Sequence, residues 1–345
     1  IVVPGARDEI LEASGVRCYR LRGPSVPTQK PYRFMLATRS TSRIVAHERP
    51  DLIEVGSAWF APWLVHLATR RLDVPAVWYY HSNFPHFIAP YGPGVGRVRK
   101  AGSELAWGYV RRLSRMVRAT LAPSHAVVRE LEQRGLDNVI RAPLGVNLEL
   151  FHPSRRARAA ETRERLGLPE GPLALYVGRF AAEKDIDVLL TAWPEVERRT
   201  GAKLVLVGDG PARRSLAATP GGRRATWLRF ERDRGRLADL YAAVNLYVAP
   251  GPGETFGLAA IGARASGTPV LSVDVGGVAE VVGLSGAGRL YPVRDADALA
   301  SEAVQLLGGD LASLGARGRA YAEAHHGWDR VLDGLFEIYR GVLRA

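Results

Sequence analysis

Residues 250–271 read PGPGETFGLAAIGARASGTPVL. Upstream, the apolar run 245–249 (NLYVA) ends at Ala249. A Pro/Gly-rich loop follows, then Glu254, a helical stretch from about Gly257, and a second apolar run from Pro269. Strand, loop, helix and strand in quick succession form the repeating unit of a parallel sheet. The loop puts Glu254 and the main-chain amides of Phe256, Gly257 and Leu258 at a helix N-terminus. Unpaired N–H groups and the helix dipole favour a phosphate there. Glu254 cannot bind phosphate, but beside an anion site its carboxylate accepts hydroxyl hydrogen bonds from a sugar. Together these features suggest a nucleotide-sugar site. The plainer reading is a strand–loop–helix turn with a solvated Glu.

The same alternation extends in both directions. Apolar runs lie at 1–4, 52–55, 74–80, 119–122 and 138–142, and again at 173–177, 203–207, 227–230, 245–249 and 269–273. Most are continuous rather than alternating, as in strands buried on both faces. Helical segments intervene, such as 186–199, 236–243 and 258–265. The pattern predicts two doubly wound α/β domains. The boundary falls between Pro153 and Pro169, in the polar, basic segment SRRARAAETRERLGLPEG. The domains are therefore set at 1–160 and 161–327, with a helix at 328–345 in which Val331, Leu332, Leu335, Ile338, Tyr339 and Val342 have helical spacing.

A second stretch, YVGRFAAEKDIDVLL (176–190), carries chemistry of its own. Gly178 permits a tight exit from the strand ending at Val177, and Arg179 and Lys184 follow on the loop. Open α/β sheets bind ligands at the carboxyl ends of their strands. Arg forks onto phosphate oxygens and Lys acts as a point charge, so both suit a diphosphate leaving group. The competing reading pairs Lys184 with Glu183 or Asp187 on the surface.

Composition sets the bounds. The chain has 345 residues, 47% of them hydrophobic and 24% charged, as in a folded globular protein. Its lone cysteine, Cys18, excludes an internal disulfide and a multi-Cys metal cluster. No apolar run reaches the roughly 18 residues of a membrane span, and no signal peptide is visible. The formal net charge of +12 brings nucleic acid, anionic lipid and phosphorylated ligands into consideration. Only Lys30, Lys100, Lys184 and Lys203 are lysines, and that skew also fits a GC-rich coding sequence.

With VGDGP (207–211), LYAAVNLYVAP (240–250), GGVAEVV (276–282), PLGVNLELFHP (143–153) and YHSNFPHFIAPYG (80–92), these stretches resemble retaining glycosyltransferases of family 4. The matches span nearly the whole chain in the family's order. The HSNFP segment resembles the branch that moves mannose or related hexoses onto lipids or polysaccharides. The resemblance implies a GT-B fold: two Rossmann-like domains facing across a cleft, with the last helix crossing back to the N-terminal one. Arg179 and Lys184 would hold the departing diphosphate, and Glu254 would bond hexose hydroxyls. The amides of Phe256, Gly257 and Leu258 would cradle phosphate and sugar, and Gly178 and Gly208 would belong to the donor-binding loops. His81, from the acceptor domain, would give a hydrogen bond near the transferring carbon. No metal or other cofactor is implied, since the nucleotide sugar is the donor substrate.

Two departures stand out. The family places a second Glu eight positions after the first, on the donor ribose; here that position is Gly262. Losing a charge-assisted partner costs about 1.5–3 kcal/mol, or roughly 10- to 100-fold in affinity. Gly inside a helix costs about 1 kcal/mol more. The family also opens with a strand, a glycine-rich loop and a helix ahead of the strand that 1–4 resembles. Since the chain starts at Ile1, the expectation is a fragment lacking its central N-terminal strand and folding poorly by itself.

Other motifs are weaker. Gly94-Val95-Gly96 lacks the third glycine of a dinucleotide fingerprint. His81, His86, His125 and His152 are scattered, and His325-His326 are adjacent, so zinc spacing is missing. Asp295-Ala296-Asp297 spells a metal-binding D-x-D, but it precedes a helical run and reads better as a helix cap. Residues 97–118 form a basic helical stretch with Arg97, Arg99, Lys100, Arg111, Arg112, Arg115 and Arg118. It suits an anionic membrane surface, or a core-packed helix with a solvated face.

The reading is a retaining, metal-independent hexosyltransferase. It moves mannose or glucose from a GDP- or UDP-sugar to a lipid or glycan acceptor, in the cytoplasm or peripherally on the inner face of the membrane. The alternatives are a catalytically degenerate glycan- or lipid-binding relative and, third, a nucleic-acid binder, for which no helix-turn-helix or RNA-binding signature is present.

Overall fold

The computed structural model describes residues 1–26, 32–69, 72–86 and 97–344, with backbone only for 97–100. Gly94-Val95-Gly96 and the end of the 80–92 stretch lie outside the described residues, as do the side chains of Arg97, Arg99 and Lys100. The chain divides into two compact units. Ile1–Ala122, Glu130–Arg141 and Leu335–Ala345 form one; Pro123–Arg129 and Ala142–Gly334 form the other.

In the second unit the apolar runs become strands β8 (Leu173–Val177), β9 (Lys203–Val207), β10 (Thr226–Leu228), β11 (Leu246–Ala249), β12 (Val270–Val273) and β13 (Gly288–Tyr291). All pair in parallel, in the order β10-β9-β8-β11-β12-β13. This is the doubly wound order in which the chain first runs one way from β8 and then returns to the other side at β11. Helices such as Ile186–Thr200 and Ala296–Leu307 cover the sheet. Leu173, Leu175, Val205, Leu206, Val248 and Leu271 are fully buried, which explains the unbroken apolar runs.

The first unit differs from the single doubly wound sheet expected of it. Its strands are β1 (Val2–Gly5), β2 (Glu9–Ala13), β3 (Val16–Arg22), β4 (Ile53–Val55), β5 (Ala76–Tyr79), β6 (Ala119–Ala122) and β7 (Val139–Arg141). They form two sheets, a mixed β1-β3-β2 and a parallel β4-β5-β6-β7. Among the described residues, no strand pairs β1 with β4. The hairpin β2–β3 was not expected from its sequence, because EILEA and VRCYRLR put charged residues among the apolar ones on exposed strands. Its turn is legible in retrospect. Ser14 and Gly15 both take positive φ (51° and 77°), the requirement of a two-residue type I′ loop.

Two further expectations shift, and the helix cap read at Asp295 is found. The division falls at Ala142 rather than at 160, because Val146 and Phe151 are buried in the core of the second unit. The Val146 amide donates to the His326 carbonyl (2.7 Å), and Phe151 packs edge-on against Tyr241. The basic helix spans Arg97–Ser114 and stops short of Arg118. There Asn138 Nδ2 donates to the carbonyls of Ser114 (2.9 Å) and Val117 (3.1 Å). Trp107, Val110 and Leu113 are buried, so the apolar positions of this helix are committed to their own unit. Asp295 acts as an N-cap: its carboxylate accepts from the Ala298 amide (2.8 Å) at the start of Ala296–Leu307.

Candidate active site

The strand order directs attention to one place. Ligands of doubly wound sheets bind outside the carboxyl ends of the strands, where the winding reverses. Here that point lies between β8 and β11, so the loops leaving these two strands build the site.

The β8 loop is held by backbone. The Gly178 amide donates to the Val207 carbonyl (3.0 Å), and the Phe180 amide to the Asp209 carbonyl (2.9 Å). This approach fixes the residue at 208: a Cβ there would lie 1.9 Å from the Gly178 carbonyl oxygen, and φ is +145°. Gly208 therefore serves first to let two loop backbones meet. Arg179 pairs with the buried carboxylate of Glu183. Lys184 ends a short 3₁₀ turn, Ala182–Lys184. The next residue, Asp185, is left-handed (φ +44°) and is held by Arg294 (2.7 Å), which also takes Asp187 (2.9 Å). Burial raises the Asp185 carboxyl above its usual range, with Arg294 acting in the opposite direction.

The β11 loop is pinned against the helix that follows β12, Gly276–Ser285. The Gly277 amide donates to the Glu254 carbonyl (2.8 Å), and Ser124 Oγ donates to the Thr255 carbonyl (2.8 Å). A Cβ on Gly277 would sit 2.1 Å from that same Thr255 oxygen, so glycine is needed for the approach. Gly257, left-handed at φ 88°, caps helix Leu258–Ala265, whose first amides have no partner within the helix. Phe256 is buried with its ring edge-on to His326, and Leu258 is exposed.

The two loops meet in one ion pair. Lys184 Nζ contacts Glu254 Oε1 at 2.5 Å, with the side chains 19% and 33% exposed. This differs from the surface pairing of Lys184 with Glu183 or Asp187. Lys184, Glu254 and Gly257 line a cleft walled by Tyr176, Tyr247 and Val278. The two tyrosines were not singled out from the sequence, where they read only as strand residues. Burial pushes both hydroxyls well above the usual range, so they stay protonated; that of Tyr247 donates to the Val177 carbonyl (3.3 Å).

Gly262 lies one turn into the helix and is buried. A Cβ there would touch Tyr241 at 3.5 Å and Phe151 at 3.6 Å, both ordinary contacts. His81 belongs to the first unit, just past the end of β5. Its exposed ring stacks on Tyr79 (4.8 Å between centroids) and lies where a side chain on Gly56 would crowd it. Among the described residues, no three His, Cys, Asp or Glu side chains group as metal ligands, and no helix is long and apolar enough to cross a membrane.

A cleft at the switch point of a doubly wound sheet is the place where α/β proteins of this class bind their ligands, and comparison with known proteins narrows the class. Residues 1–150 match the profile of Glycosyltransferase Family 4, and residues 171–308 that of Glycosyl transferases group 1. A GDP-mannose-dependent alpha-mannosyltransferase of Mycobacterium tuberculosis is 31% identical, over 95% of this chain and 82% of its own length. A D-inositol 3-phosphate glycosyltransferase of Xylanimonas cellulosilytica is 34% identical, over 90% and 77%. Among solved structures, a sucrose-phosphate synthase from Thermosynechococcus elongatus superposes with a TM-score of 0.79 at 26% identity, over 97% and 86%. The protein is a glycosyltransferase with the GT-B fold. The chain belongs to glycosyltransferase family 4.

Proposed function

We propose that the protein transfers a hexose from a nucleoside diphosphate sugar to a lipid or glycan acceptor, with retention of anomeric configuration. Mannose from GDP-mannose is the first donor to test, with glucose and UDP-linked donors next. The Lys184–Glu254 pair between β8 and β11 carries this reading, because it holds a cation and a hydroxyl acceptor side by side. In this reading Lys184 turns to the departing diphosphate together with Arg179 and the amides of Phe256, Gly257 and Leu258. Glu254 then accepts from the sugar hydroxyls, and His81 donates near the transferring carbon. Catalysis comes from positioning and from electrostatic support of the leaving group. These groups supply the positive charge, so chelator leaves the rate unchanged. The name of the mannosyltransferase relative supports the donor class.

The test is a transfer assay over a panel of GDP- and UDP-sugars, with the product anomer read by NMR. Lys184→Ala and Glu254→Ala each abolish turnover while circular dichroism and Tm stay close to the parent. Unchanged rates in either variant would refute the site. An anionic membrane is the further partner in this reading. The basic face of helix Arg97–Ser114 meets it by charge, so vesicle binding falls as salt rises.

A further inference from the structure

Residues 81–86 are tied to helix His125–Gln133 through one carboxylate. Glu130, on helix His125–Gln133, accepts from Asn83 Nδ2 through one oxygen (2.7 Å). Through the other it contacts His86 Nε2 (2.6 Å). Asn83 is buried, and its own oxygen accepts from the Tyr80 hydroxyl (2.9 Å), which is also buried. Tyr80 and Asn83 bracket His81, while His86 lies further along the same loop. Within the loop, the Phe84 amide donates to the Ser82 carbonyl (2.9 Å) and the His86 amide to the Asn83 carbonyl (3.1 Å). These turns shape the segment, and Phe84 packs against Trp59 and Tyr109 while the His86 ring lies edge-on to Trp107. Glu130 adds the polar hold, at two points three residues apart in sequence.

We propose that Glu130 is a positioning residue for His81. By holding Asn83 and His86 it sets the course of the loop and hence where the His81 ring is presented. This rests on the reading that His81 serves the transfer reaction. A buried amide bonded on both sides has one favourable orientation, because turning it would set the Tyr80 hydroxyl against an NH₂ group and a carbonyl oxygen against the carboxylate. Without the carboxylate, Asn83 loses its outward anchor and His86 its only contact with helix His125–Gln133 among the described residues.

The experiment compares Glu130→Ala, Glu130→Gln, His86→Ala and His81→Ala in the full chain, each with and without His81→Ala where the two differ. A small misplacement of a reacting group costs on the order of 10- to 100-fold in rate. Glu130→Ala is expected to lose that much in kcat, with KM for the nucleotide sugar unchanged. Glu130→Gln, which still accepts from Asn83, restores most of the rate. His86→Ala removes one contact at an exposed residue and gives a smaller loss, a variant that stays informative if Glu130→Ala folds poorly. In the His81→Ala background, Glu130→Ala has little further effect. If His81→Ala leaves the rate intact, the reading of His81 fails and this proposal fails with it. If His81→Ala is impaired but Glu130→Ala and His86→Ala match the parent, or keep their full effect without His81, the positioning role alone is refuted.

Discussion

Lys184 and Glu254 bring opposite charges into one narrow cleft, where neither dominates the local potential while they remain paired. Partly exposed pairs of this kind contribute about 0–1 kcal/mol to stability, so losing either partner should barely move Tm while, in the proposed reading, it removes a ligand for the donor. Gly262 presents the opposite balance. It is buried one turn into helix Leu258–Ala265, and a methyl group there makes only ordinary contacts. Gly262→Ala should therefore stabilise the protein by up to about 1 kcal/mol, raising Tm by roughly 2–4 °C without changing kcat. A Tm decrease would show that Tyr241 and Phe151 cannot accept the added atom. Gly262→Glu asks for more, because its carboxylate starts against two aromatic rings and must reach a polar partner. Tighter donor binding in that variant would identify the ribose side of the cleft.

At the scale of elements, the clearest parts of the sequence were those with the deepest burial. Strands β8, β9, β11 and β12 read as unbroken apolar runs because both their faces are covered, and the edges of helix Leu258–Ala265 were read from one loop and one glycine. The hairpin β2–β3 was opaque because exposed strands carry Glu and Arg among their apolar residues. The end of the basic helix was hidden for another reason: its stop signal, Asn138, comes twenty-four residues after Ser114 in sequence. Asn138 also accepts from Ser114 Oγ (2.5 Å), so one side chain holds both the end of that helix and the start of β7. Asn138→Ala should cost about 1–3 kcal/mol, read as a lower denaturant midpoint with an unchanged slope. The residue types at the candidate site were legible, but the pairing of Lys184 with Glu254 was not, since it spans seventy positions and depends on strand order.

At the scale of the whole molecule, many arginines are compensated on the surface, such as Arg198 by Glu195 and Arg224 by Glu197, and the net charge of +12 is the excess over such pairs. The cations of the proposed donor site, Arg179 and Lys184, are few and local. Saturating nucleoside diphosphate should therefore stabilise the chain by about 2.7 kcal/mol at a hundred times its Kd, seen as an upward shift in Tm. Lys184→Ala should abolish the shift, whereas Arg198→Ala, remote from the cleft, should keep it. A shift that survives Lys184→Ala would mean that the nucleotide binds elsewhere. The Lys184–Glu254 contact also spans the seam between the first strand laid down in this sheet and the strand that reverses its course. In the proposed reading a bound donor bridges the loops that leave these two paired strands, so its grip should be felt far below the cleft. Amide protons along β8 and β11 should exchange more slowly together when nucleotide is added, while those of β13, at the sheet's far edge, keep their own pace.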